Sequence, residues 1–218
     1  MNCWPATVAR GGGSDRHMKL KTISLVALMV LGWSVAVSAG PFEKVPGGGL
    51  RHKASGVIFP ARVGLFQSAG SRTYDRKGAD VGMQYFLPQF ILADVYAYPA
   101  GSSRSAFDKE FATQQSAIRQ LNKNVKLISQ SAVSTRQGGR VVSGRQATYD
   151  LERPLFGNPR VKAGSQFLLF RDGRWFVAYR FSYPRERSAI ASKHVANFLA
   201  QWAWRDSSTA KTYAQQSS

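Results

Sequence analysis

Residues Ser165–Pro184 constrain the fold more than any other stretch, because two apolar runs meet there at Asp172-Gly173. An Asp-Gly pair between such runs predicts a two-residue β-turn, since this turn requires positive φ angles at its centre. A turn centred on these two residues places Phe170 opposite Trp175 and makes Trp175 a core residue. Apolar side chains then fall on both faces of the second strand. Such a hairpin belongs in the middle of a sheet, with strands beside it and helices over it.

The first 39 residues have the pattern of a secretory signal. A basic start at Met18, an apolar run over 23–37 and a Val-Ser-Ala end before Gly40 predict a signal peptide over 18–39. The apolar run is about 15 residues long, shorter than the roughly 20 that a membrane-spanning helix needs. Residues 1–17 are interpreted as an upstream extension that is not native. The mature protein is therefore expected to be periplasmic or secreted, without a transmembrane span.

The expected mature chain is strongly basic and has no cysteine. Residues 1–39 hold Cys3, four of the 30 basic and one of the 12 acidic side chains, so 26 basic and 11 acidic ones remain, a net charge of about +15. Without cysteine there is no disulfide and no thiolate for catalysis or metal binding. A domain of this size buries about 70% of its unfolded surface, which is enough to fold without such links.

The mature chain divides into a leader, one domain and a tail. Residues 40–55 contain Pro46 followed by three glycines, and we expect a flexible leader there. The domain is predicted over 56–205. Residues 206–218 are polar and are predicted to be disordered.

The first half of the domain changes from strand periodicity to helix periodicity. Short strands, a return strand over Val81–Phe86 and a strand over Ile91–Tyr98 come first. The apolar stripe of Phe107, Phe111 and Ile118 then predicts an amphipathic helix.

The second half is predicted to hold four strands and a helix. Val125–Ser134 and Arg140–Leu151 are interpreted as polar strands, and Arg153–Gly164 as a loop because it contains two prolines and two glycines. The central hairpin follows, and Ile190–Trp202 carries the stripe of a last helix. The order predicts an α+β fold in which two main helices pack on a central, largely antiparallel sheet.

Several of these segments together resemble the PsbP-like group, which includes the extrinsic photosystem II subunit, a nuclear Ran-binding protein and many small secreted bacterial proteins. The motifs that carry the resemblance are Ile58-Phe59-Pro60, Asp80-Val81 to Tyr85, Val95 to Ala100 before a helix, and Gly173-x-Trp175 leading to Tyr183-Pro184. They span about residues 56–204 and are core and turn residues, so they imply a fold. The resemblance also implies a noncatalytic binding or accessory protein, and it transfers no binding residue to this chain.

The mature sequence contains none of the common catalytic or cofactor-binding motifs: no Gly-x-Ser-x-Gly, His-Glu-x-x-His, P-loop or dinucleotide fingerprint. No cofactor or metal site is predicted. Asp94 lies on a half-buried strand, where a carboxylate must be hydrated or paired, and pairing with Arg180 is favoured over a role as catalytic acid. Convergence of Asp94 or Asp150 with His52 or His194 in one cleft would instead favour an envelope hydrolase.

One polar segment concentrates basic residues, and it supplies the candidate binding residues Arg136, Arg140, Arg145, Arg153, Arg160 and Lys162. A solvated cationic face with no binding role explains such a segment equally well. The functional interpretation is attraction to an anionic envelope component, such as lipid head groups, polysaccharide or an acidic protein, rather than to nucleic acid. We therefore expect a noncatalytic, secreted or periplasmic accessory or binding domain of the bacterial cell envelope. The alternatives are an envelope hydrolase and a cationic binder of anionic lipid or polysaccharide.

Overall fold

The computed structural model describes residues 40–205 except 102, 104 and 138. The upstream extension 1–17, the predicted signal peptide 18–39 and the predicted tail 206–218 lie outside the described residues. Neither described helix combines the length and the apolar character that crossing a membrane requires. The described elements are, in order, β1 (Phe42–Lys44), β2 (Leu50–His52), β3 (Ile58–Phe59), β4 (Arg62–Val63), β5 (Phe66–Thr73), β6 (Val81–Leu87), β7 (Ile91–Pro99), α1 (Ala106–Leu121), β8 (Lys123–Gln137), β9 (Arg140–Leu155), β10 (Asn158–Asp172), β11 (Trp175–Pro184), a 3-10 turn (Arg185–Arg187) and α2 (Ser188–Gln201).

Eight of these strands form one sheet in the order β4-β5-β6-β7-β11-β10-β9-β8. All of its neighbouring strands are antiparallel. The hairpin of β10 and β11 is in the middle, and consecutive residues such as Ala178 and Tyr179 are buried on opposite faces. The prediction of a central hairpin that is covered on both sides is therefore confirmed.

Two apolar clusters lie on the two faces of the sheet. Ala191, Val195 and Phe198 of α2 belong to the cluster around Tyr179. Phe111 of α1 and its neighbours belong to the other cluster, which includes Phe176 and Ala178. Each helix covers only part of its face, and the edge strand β8 exposes most of its side chains. The α+β class is confirmed, with the sheet rather than the helices dominating the architecture.

The central hairpin turns at Gly173-Arg174 and not at Asp172-Gly173. Asp172 pairs with Trp175, so Phe170 does not face Trp175 as we expected. Gly173 has a φ of 61°, whereas Arg174 does not have a positive φ. Glycine with positive φ at the first central position is the pattern of a type II′ turn.

Asp172 stays in the strand because its carboxylate has tertiary partners. Its side chain is only 3% exposed and forms ion pairs with Arg140 and, at 2.8 Å, with Arg205. These ion pairs require the Asp172 side chain to lie over the face of the sheet, a position that an aspartate inside the turn would not have. The predicted register was therefore wrong: the turn lies one residue further along the chain than we expected.

Residues 40–55 form a β-hairpin, which corrects the prediction of a flexible leader. β1 pairs with β2 and β2 with β3 in a small antiparallel sheet. Gly47 and Gly48 have φ angles of 84° and 80°, so the glycine run is a tight turn between strands. The ordered domain therefore includes residues 40–55.

His52 anchors this hairpin. It is fully buried, and its Nε2 donates to the Gly78 carbonyl at 2.7 Å while its Nδ1 lies 2.8 Å from Ser55 Oγ. Because a carbonyl can only accept, Nε2 carries a hydrogen, and in the neutral ring Nδ1 then accepts the hydrogen of the Ser55 hydroxyl. Burial lowers the pKa of His52, which favours this neutral form.

The predicted loop over Arg153–Gly164 is instead the end of a long hairpin of β9 and β10. Phe156 and Gly157 form its turn, and both have positive φ, 52° and 82°. Pro159 is tolerated because it lies past the end of β11, whose pairing with β10 stops at Ala163↔Pro184. Pro154 is tolerated because it lies past the end of β8, whose pairing with β9 stops at Lys123↔Glu152. The prolines made the segment look irregular in sequence.

Candidate anion-binding site

Two of the six candidate binding residues make ion pairs within the fold. Arg140 is paired with the buried Asp172. Arg145 lies 3.1 Å from an oxygen of Asp108 and 5.9 Å from the centre of the Phe111 ring, so it fastens α1 to β9. These contacts explain both residues without a ligand.

The structure brings three of the other candidates to one end of the sheet, where β8 and β10 begin and β9 and β11 end. Arg153 lies opposite Val161, between the exposed Arg160 and Lys162 in the same hairpin. Arg136, the remaining candidate, is exposed near the opposite end.

Other elements add basic residues to this end. Lys123 and Lys162 both pair in register with Glu152. The set, here called the basic end, comprises Arg119, Lys123, Lys126, Arg153, Arg160, Lys162, Arg180, Arg185 and Arg187. The acidic residues on the same part of the strands and the 3-10 turn are Asp94, Asp150, Glu152 and Glu186. Asp150 Oδ2 lies 2.9 Å from Arg185 Nη2, so this carboxylate is already paired. Positive charge therefore remains in excess at the basic end.

Polar atoms are also buried at this end, on the face that α1 covers, although Arg153 and Arg180 as whole residues are half-buried. Tyr149 is fully buried, and its hydroxyl has no hydrogen-bond partner among the described residues. The same holds for Nε of Arg153 and for Nε and Nη2 of Arg180. Arg153 Nη1 donates to Ser182 Oγ at 2.7 Å. We call Tyr149, Arg153 and Arg180 the guanidinium cluster.

The pKa shifts show that these groups interact electrostatically. Burial lowers the pKa of Arg180, and the charge of Arg153 lowers it further. Burial raises the pKa of Tyr149, opposed by the amide of Gln115, which approaches the hydroxyl without reaching hydrogen-bond geometry, and by the charges of Arg119 and Arg180. The cluster is thus a desolvated site in which positive charge accumulates.

The sequence predicted that Asp94 pairs with Arg180; the two lie directly opposite each other in register, but no ion pair joins them among the described contacts. Its Oδ1 accepts a hydrogen bond from Gln84 Nε2 at 2.9 Å, and its charge supports the protonated form of Arg180. Asp94 therefore offsets part of the charge of Arg180 through space, while the Nε–Nη2 edge of the guanidinium stays unpartnered.

The residues that a hydrolase would need do not converge. Asp94 is on the α1 face, whereas Asp150 is bound by Arg185. His52 is in the N-terminal hairpin, and His194 packs on α2 against Phe90 with ring centres 5.4 Å apart. Within the described residues, no three histidine, cysteine or acidic side chains are grouped to hold a metal ion.

Sequence reasoning found Arg153 but missed Tyr149 and Arg119. Arg180 had a visible signal, because it is a charged residue between Tyr179 and Phe181 on an apolar strand. Tyr149 had none, since a tyrosine on a polar strand is ordinary. The register of four strands places these residues together, and that register is not a local property of the sequence.

No protein-family model matches the chain, and no curated protein sequence matches it either. Among solved structures, cyanobacterial PsbP from Synechocystis is similar with a TM-score of 0.44 and 11% identity, over 80% of this chain and 98% of that chain. PA94 of Pseudomonas aeruginosa, a protein of unknown function, is similar with a TM-score of 0.35 and 12% identity, over 61% of this chain and 97% of that chain.

Proposed function

We propose that this chain is a noncatalytic accessory or binding domain, exported to the periplasm or secreted, that docks on anionic lipid of the bacterial cell envelope through its basic end. The observation that carries the proposal is the composition of the β9–β10 hairpin tip. An exposed aromatic side chain, Phe156, projects there beside Arg160 and Lys162, which are exposed as well. Aromatic and basic side chains together suit a membrane surface with negative head groups.

Charge supplies the long-range part of this interaction. The expected mature chain has a net charge of about +15. Its field reaches about 8 Å beyond the surface at physiological salt, so an anionic surface is found quickly and the contact weakens as salt rises. Because basic residues are concentrated at the basic end, the attraction orients this end of the protein toward the anionic surface.

Phe156 supplies the short-range part. Its side chain is 45% exposed, and its φ of 52° is unusual for a bulky residue that is not glycine. Holding it in this conformation costs about 1–2 kcal/mol. Since neither the exposure nor the conformation stabilises the fold, a role in contact with a partner accounts for both.

Neutralising exposed cations of the basic end is expected to weaken membrane binding. Replacing Lys123, Arg160 and Lys162 by glutamine should reduce affinity for phosphatidylglycerol-containing vesicles about tenfold to a hundredfold, because each basic residue near the surface contributes about 1 kcal/mol. Vesicle co-sedimentation measures this. The matched control replaces Arg72, Arg76 and Arg136, which are exposed elsewhere, and should bind like the parent. Equal losses in both variants would mean that only net charge matters.

Phe156→Asn is expected to separate binding from stability. Asparagine accepts positive φ more readily than phenylalanine, so the free energy of unfolding should stay the same or rise by up to about 1 kcal/mol. Vesicle affinity should fall, because the aromatic contact with the interface is lost. Urea unfolding and co-sedimentation test the two parts. Unchanged vesicle binding would mean that the tip does not enter the interface, and would favour an anionic polysaccharide as partner.

A further inference from the structure

We infer that the guanidinium cluster beneath α1 binds the carboxylate group of a small organic acid. Arg153 and Arg180 belong to the basic end, but they are half-buried side chains of β9 and β11 and lie apart from the exposed hairpin tip that carries the docking proposal. The inference therefore does not depend on membrane binding.

The geometry of Arg180 carries the inference. Its unpartnered nitrogens are Nε and Nη2, which lie on the same edge of the guanidinium. This edge presents two parallel N–H donors, the arrangement that binds both oxygens of a carboxylate. Arg153 Nε and the Tyr149 hydroxyl add further donors that have no partner among the described residues.

The free-energy cost of leaving these buried donors unpaired favours binding of a partner. Leaving a buried donor unpaired destabilises the protein, and more so when the donor is charged. The charge of Arg153 lowers the pKa of Arg180, and Asp94 offsets only one of the two positive charges. One carboxylate would restore neutrality around this pair, and its two oxygens accept about four hydrogen bonds, as many as these donors offer.

The burial of the donors also selects the kind of anion. All four donor atoms are buried, so an anion must lose its hydration water to pair with them, which costs less for a singly charged carboxylate than for a doubly charged phosphate. Arg119 lies on the exposed side of α1 close enough to affect the pKa of Tyr149, and would attract an acid toward the cluster. The monoanionic charge of a carboxylate matches the single uncompensated charge of the buried pair.

The test is titration of the purified chain with acetate and benzoate at constant ionic strength, followed by calorimetry and by thermal melting. Both acids are expected to bind saturably and to raise the melting temperature, and inorganic phosphate to bind more weakly. Arg180→Met should weaken carboxylate binding about tenfold or more, because the charged fork is lost. Absence of a saturable response to either acid, or tighter binding of phosphate than of both acids, would overturn the assignment.

Tyr149→Phe keeps the test decisive if Arg180→Met fails to fold. It removes only an unpartnered hydroxyl, so the ligand-free protein should be as stable as the parent or more so. Carboxylate affinity should nevertheless fall several-fold. Tyr183→Phe makes the same change in a buried tyrosine on the opposite face and should bind carboxylates like the parent. Parent-like binding by Tyr149→Phe would contradict the inferred site.

Discussion

Replacing Trp202 with alanine is expected to lower the free energy of unfolding by about 3–5 kcal/mol, as truncation of a buried aromatic side chain does. Trp202 is 1% exposed, and its ring centre lies 5.3–5.8 Å from those of Phe59, Tyr179 and Phe198. Its Nε1 also donates to the carbonyl of Ile58 at 2.8 Å. The substitution therefore leaves both a cavity and an unpaired buried carbonyl, and urea unfolding followed by circular dichroism measures the loss.

Trp175→Ala is the matched control for this result. The sequence pattern placed Trp175 in the core, but the structure leaves it only partly buried, with its ring edge-on to His52 at 5.4 Å. Less apolar surface is therefore lost, and we expect a clearly smaller decrease in stability than for Trp202→Ala. Equal losses would mean that the aromatic cluster around α2 does not dominate the core.

Local patterns predicted most of the elements of this fold. The alternation in Ile91–Tyr98 and the apolar stripe of Phe107, Phe111 and Ile118 gave the right element types, because these periods follow from which side is buried. The central hairpin was predicted for the same reason: its two apolar faces exclude an edge position. These features are properties of one segment at a time.

The errors arose where a turn or a register depends on distant partners. The Asp-Gly signal is local, yet Asp172 is held in the strand by Arg140 and Arg205, which are far away in sequence. Glycine at 47–48 and the Phe156-Gly157 pair form tight turns, but in sequence they resemble a flexible leader and a loop. Composition alone does not distinguish a turn between strands from a linker.

The candidate site was predictable only in part, and for the same reason. Arg153, Arg160 and Lys162 stand close together in sequence, so the basic segment was visible. Lys123 joins them only because β8, β9 and β10 pair in a particular register. Arg180 was singled out as a partner for Asp94, but its free donor edge becomes apparent only when its neighbours are in place.

Removal of the Asp172 carboxylate tests how much its ion pairs with Arg140 and Arg205 contribute to the stability of the fold. Asp172→Ala is expected to lower the free energy of unfolding by about 2–3 kcal/mol, less than for a fully buried ion pair, because Arg140 and Arg205 are partly exposed and solvent screens the charges left behind. The side chain of Arg140 is 58% exposed and that of Arg205 is 27% exposed, whereas that of Asp172 is 3% exposed.

The control for this prediction is Asp150→Ala, which breaks the ion pair with Arg185. Asp150 and Arg185 are 21% and 58% exposed, so solvent screens their attraction and the loss should stay below about 1 kcal/mol. Urea unfolding at low and at high salt compares the two variants, and salt should reduce the smaller effect more than the larger one. If both variants lost the same stability, burial of Asp172 would not be what holds it in the strand, and the shifted turn would have to follow from the preference of Gly173 alone.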